Sequence, residues 1–61
     1  MNVYVVMQHE FNEDTQLYSD VIDAVEVFVD RYHANQFIKE VKELDEKEGY
    51  DYKYFIKTFE L

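Results

Sequence analysis

His9-Glu10, followed by Glu13 and Asp14, is the densest grouping of chemically versatile side chains in the sequence. One imidazole and three carboxylates make a donor set that a divalent ion accepts. Their spacing matches neither the HExxH pattern nor an EF-hand loop. The stretch Gln8–Gln16 around them is polar and rich in turn-forming Asn and Asp, so it reads as a loop or a long hairpin connection. The expectation is a solvated acidic loop, with no metal and no cofactor. The other histidine, His33, falls in the first turn of an expected helix. The macrodipole there disfavours its charged form, which points to a surface or packing residue.

Nucleophilic chemistry has little material. There is no cysteine and no Gly-rich phosphate loop, and the only hydroxyl nucleophiles, Thr15, Ser19 and Thr58, stand in no recognisable motif. Carboxylate pairs are frequent because 14 of the 61 residues are acidic. Acid–base work needs a cleft that desolvates one carboxylate of a pair, and three packed elements rarely leave one. No catalytic residue is expected, and the chain is read as a non-enzyme.

The tyrosines carry more. Tyr50, Tyr52 and Tyr54 alternate along the last segment and would project from one face of a strand. A tyrosine joins a large apolar body to a polar tip and is enriched in interfaces. If Tyr4 and Val6 share their face, and a helix covers the other, the five side chains form an exposed patch of the kind that marks a contact surface. Tyr4, Val6, Tyr50, Tyr52 and Tyr54, with Glu10, Glu13 and Asp14 as an acidic rim, are therefore the expected protein-binding residues.

The elements that must position these groups follow from composition and periodicity. The chain is one domain, residues 1–61, and a domain of this size buries only about 60 % of the surface that its unfolded chain exposes. Hydrophobic residues make up 48 % and aromatics 18 %, enough for a core. With no cysteine to form disulfides, self-association is the remaining staple, so a homodimer is expected through the uncovered sheet face or an edge strand. The net charge of −8 repels nucleic acid phosphates and anionic lipid, and favours a basic protein partner. No apolar run approaches the roughly 20 residues of a membrane span, and no signal-peptide pattern opens the chain. The cytoplasm is the expected compartment.

Val3–Met7 is apolar on both alternating faces, the mark of a central or doubly covered strand. Val21–Val29 is a second strand, although neither of its faces is clean. Asp30 is a good N-cap, and Ala34, Phe37, Ile38, Val41 and Leu44 form one helical stripe, which Gly49 ends. Tyr50–Leu61 has strand periodicity, with a parity change that allows a bulge near Tyr54–Ile56. The expected fold is α+β, with order β-β-α-β. The helix, from about Arg31 to Lys47, crosses one face of a three-stranded antiparallel sheet of strand order 2-1-3.

Val27-Phe28-Val29-Asp30 running into Ala34 and Phe37-Ile38-Lys39-Glu40, together with the ending Tyr54-Phe55-Ile56-Lys57-Thr58-Phe59-Glu60-Leu61, resembles a pattern in small uncharacterised proteins of bacteriophages and low-GC Gram-positive bacteria. The likeness spans residues 1–10 and 20–61 loosely. It departs at Glu26, where those proteins often have glycine, and at Arg31-Tyr32-His33, which replaces an acidic-basic helix opening. The resemblance implies the β-β-α-β order and a phage origin, and implies no activity. Size, acidity and the lack of catalytic groups point to a protein-binding module that modulates or inhibits a host protein, such as a defence or nucleic-acid enzyme. The alternatives are a self-assembling structural protein, and a DNA mimic that inhibits a DNA-binding protein.

Overall fold

The computed structural model describes residues 1–12 and 14–61, without the side chains of residues 19–22. Four elements follow one another: β1 (Asn2–Asn12), β2 (Leu17–Phe28), α1 (Arg31–Glu48) and β3 (Tyr52–Glu60). The strand order is β2-β1-β3, and both neighbours run antiparallel to β1. The doubly apolar Val3–Met7 segment thus lies in the central strand. Together with the helix this is the α+β architecture that the pattern of elements predicts.

The local chemistry at the helix ends is that of the sequence signals. Asp30 is extended, and its carboxylate accepts the His33 backbone N–H at 2.8 Å. Gly49 closes the helix in the left-handed region at φ 78°, where a side chain would be strained, and its N–H returns to the carbonyls of Asp45 and Glu46. The stripe faces the sheet as far as Val41. Leu44 continues it in sequence, yet is 58 % exposed. Past Val41 the helix meets the sheet through Asp45, which accepts from the Tyr54 hydroxyl, rather than through Leu44.

The hairpin is longer than its polarity suggests. Gln8–Asn12 belongs to β1 rather than to a loop, and β2 begins at Leu17, ahead of Val21. The central strand has its ladder bonds to make on both sides whatever its side chains are, and Gln8, His9 and Glu10 pair with Tyr54, Lys53 and Tyr52 of β3. The turn is pinned by Asn12, whose side-chain oxygen accepts from the N–H groups of Asp14 and Thr15. Gln16 takes a left-handed φ of 59° just before β2.

The β1–β3 register is continuous from Asn2↔Glu60 to Glu10↔Tyr52, so the bulge allowed near Tyr54–Ile56 is not there. The irregularities fall instead between β1 and β2, one of them at Val6/Met7, where Glu26 and Ala24 are the partners and Val25 is the extra residue. This explains why neither face of β2 reads cleanly: the parity that faces the helix changes at Val25. On β3 the two parities are two real faces. Tyr52, Tyr54 and Ile56 pack under α1, while Phe55 and Phe59 alternate to the other side.

The core is small. Val6 and Ala34 are fully buried and Tyr54 is 8 % exposed, with Tyr4, Phe28, Phe37, Ile38, Val41, Tyr52 and Ile56 packed against them. Phe28 and Phe37 meet at 5.4 Å between ring centres. The expected contact patch is thereby corrected. Tyr4, Val6 and Tyr54 lie on the helix-covered face and form the core. Ala34, with no side chain beyond Cβ, lets the helix approach Val6 closely. The uncovered face belongs to Val3, Val5, Met7, Phe55 and Phe59.

Candidate protein-binding groove

Where α1 ends, the chain doubles back into β3 and passes beside the start of β2, leaving a groove of about 520 Å3. Each wall has a local cause. The last helical turn supplies Asp45 and Glu46, which the Gly49 cap holds in place. The link to β3 brings Tyr50 and Asp51, and the first strand residues bring Tyr52 and Lys53. Tyr18 arrives from β2, opposite Phe11, with the two rings 5.2 Å apart and edge to face. Lys42 closes the helix side.

The rings form a stepped aromatic surface. Tyr50 and Tyr52 lie 5.5 Å apart, and Tyr52 meets Tyr54 edge-on at 6.5 Å. Tyr50 is exposed, Tyr52 is half-buried and Tyr54 is buried, so the row descends from solvent into the core. At its base the Tyr54 hydroxyl donates to Asp45 at 2.5 Å and accepts from the Gln8 amide at 3.1 Å. Burial, and then that bond to Asp45, push the Tyr54 phenol up to about 12. Tyr18 donates its hydroxyl to Asp51 at 3.1 Å, with the Lys53 ammonium 5.9 Å above its ring.

The groove sets three carboxylates against two ammonium groups, and burial together with the nearby acids acts on its tyrosines. Desolvation, followed by the charge of Glu10, the neighbouring Tyr50 and Asp45, raises the Tyr52 phenol above its ordinary value. Desolvation and Asp51 raise Tyr18 in the same direction. The negative end of the helix dipole adds to this field. Three carboxylates, aromatic faces and a helix C-terminus together suit one kind of guest, a cationic side chain. A guanidinium can lie on a tyrosine face while its N–H groups reach a carboxylate. Lys42 and Lys53 keep the groove from being uniformly acidic, which favours an extended guest that also presents carbonyls or acids.

The structure divides the expected site residues. Tyr50 and Tyr52 stand in the groove, and Glu10 pairs with Tyr52 at its margin. Tyr54 supports the groove from below, while Val6 is core and Tyr4 lies half-buried beneath the Arg31 guanidinium, 5.9 Å from its ring centre. Asp14 is in the hairpin turn, and Glu13 lies outside the described residues. His9 and Glu10 are consecutive in a strand, so they point to opposite faces, and the His9 ring rests 5.5 Å from Phe55 on the uncovered side. Among the described residues no three His, Asp or Glu side chains converge as metal ligands.

Sequence spacing does not single out Tyr18, Asp45, Glu46 and Asp51, because they come from β2, α1 and the link to β3. The available signal was the cluster of acids and tyrosines on either side of Gly49, Asp45-Glu46 before it and Tyr50-Asp51-Tyr52 after it. No described helix is long and apolar enough to cross a membrane. No family model, curated protein or solved structure matches this chain.

Proposed function

We propose that this chain is a small acidic protein-binding module that holds a basic segment of another protein in the groove at the end of α1. The observation that carries this reading is the meeting of Asp45, Glu46 and Asp51 with the faces of Tyr18, Tyr50 and Tyr52 in one recess. The net charge of −8 steers a basic partner towards it, and the tyrosines supply contact area once it arrives. The groove offers no activated nucleophile, and its Tyr18 and Tyr52 phenols are pushed towards the protonated form, which supports binding rather than catalysis. A phage origin, implied by the resemblance of the Val27–Glu40 and Tyr54–Leu61 stretches, gives such a module its setting. It would act in the host cytoplasm and modulate or inhibit a host protein.

The test is binding of an arginine-rich peptide and a glutamate-rich peptide of equal length, followed by fluorescence anisotropy at low and moderate salt. The arginine-rich peptide should bind, weaken with salt, and lose about tenfold in affinity when Glu46→Gln and Asp51→Asn are combined, the sum of two modest charge contacts of under 1 kcal/mol each. Tyr50→Ala should weaken binding without changing its salt dependence. Equal binding of both peptides, or an arginine-rich complex indifferent to the paired substitution, refutes the assignment of the groove.

A further inference from the structure

The sheet face turned away from α1 is apolar, and α1 leaves it uncovered. Val3, Val5 and Met7 run along its middle on β1, Phe55 and Phe59 stand on the β3 side, and Ala24 and Val27 on the β2 side. Charge is segregated across the sheet. Among residues whose side chains are described, the charged members of this face are Lys53 and Lys57, on β3. The strand carboxylates Glu10, Asp23, Glu26 and Glu60 pair with Tyr52, Gln8, Val6 and Asn2, all on the helix side. A chain with a net charge of −8 therefore keeps its described strand acids off one face.

We propose that this face packs against the same face of a second copy of the chain, about a two-fold axis running along β1. That axis lays β3 of each copy over β2 of the other. Side-chain size makes the match: Phe55 and Ala24 both pair with Met7, so the axis sets the ring of one copy over the small Ala24 of the other, and Lys57 over Val27, both of which pair with Val5. The alternative axis, across the strands, sets β3 on β3 and brings the bulky rings and both pairs of lysines together. Along β1 the lysines are separated instead. The Lys57 ammonium sits over its own Phe59 ring, 5.3 Å from the ring centre.

The area suffices. Three strands about 4.8 Å apart, each about nine residues long at about 3.3 Å per residue, cover roughly 400 Å2 in projection. With side-chain relief counted, the pair removes on the order of 1,200 Å2 from water, the lower end of the range for specific interfaces. Aligned packing of two such twisted sheets is an ordinary sandwich geometry. The strand acids then face outward, and the helix wall of the groove, Asp45 and Glu46, stays clear of the seam in each copy.

Light scattering and thermal melting decide the point. The expected mass is twice the 7.5 kDa of one chain at micromolar concentration, with a melting temperature that rises with concentration. Val5→Glu, at the centre of the face and outside the core, should halve the mass. Ala24→Tyr should do the same without adding charge, because it fills the space that receives a phenylalanine. Far-ultraviolet circular dichroism checks that each variant keeps its helix. A single-chain mass together with a melting temperature independent of concentration overturns the proposal. A doubled mass that survives both substitutions also overturns it, because the copies then pair through an edge strand. Glu46→Gln with Asp51→Asn should leave the mass doubled, so failure of the groove and failure of the dimer are read separately.

Discussion

Replacing Tyr54 with phenylalanine removes one oxygen and tests the link between core and groove. The Tyr54 hydroxyl donates to Asp45 and accepts from Gln8, both in partly buried surroundings. A hydrogen bond to a charged group contributes about 1.5–3 kcal/mol, and a neutral one about 0.5–1.5 kcal/mol. Asp45 is half-buried and can turn to water when its donor is lost, so the lower figure applies to it. Gln8 contributes about another 0.5 kcal/mol. Tyr54→Phe should therefore destabilise by about 2 kcal/mol, which for a domain of this size lowers the melting temperature by roughly 10 °C. Urea unfolding measures the difference, and the double substitution with Asp45→Asn should show that about half of it is shared between the two residues. A loss under about 0.5 kcal/mol, with no coupling to Asp45, would refute the reasoning. The same bond sets an alkaline limit. The folded phenol titrates near 12 against 10 when unfolded, so the native state holds its proton more tightly. This contribution is complete below pH 10 and disappears as pH rises towards 12. In Tyr54→Phe, stability should fall less steeply over that window.

Two further outcomes follow from packing and capping. Val6→Ala should cost about 2 kcal/mol, because Val6 is fully inaccessible beneath Ala34, whereas Leu44→Lys, on the same helical stripe but exposed, should leave the unfolding midpoint unchanged within error; equal losses at the two positions would mean that the helix sits lower on the sheet. The backbone N–H of His33, and then its ring, hold the Asp30 carboxyl below its ordinary value, so its contribution is present above pH 3.8 and is lost as pH falls through the lower folded value. Thermal melts of Asp30→Ala should accordingly lie below those of the native chain at neutral pH and converge with them in strong acid, and a constant gap would show that the cap is not electrostatic.

Much of this protein was determined by local chemistry that a sequence displays directly. Asp30 and Gly49 mark the helix because their side chains, or the lack of one, solve the end groups of the helix wherever it packs. The Ala34–Val41 stripe declares an amphipathic helix, and the short connections around it leave one sensible strand order, with the doubly apolar Val3–Met7 segment in the centre. The direction in which each strand faces is another matter. A strand apolar on both sides has no preferred inward face in its own periodicity, so Tyr4 and Val6 were as compatible with an exposed patch as with a core. The helix decided it. Ala34 allows close approach over Val6, and the Tyr54 hydroxyl finds Asp45 and Gln8 on that side, whereas Phe55 has no polar atom to satisfy on the other. The extra residue at Val25 likewise reverses the parity of β2 in a way that no alternation rule reveals, since a bulge is defined only against its partner strand. The groove is a tertiary object throughout: Tyr18, Asp45 and Tyr50 belong to different elements, and only the return of the chain at Gly49 brings them together.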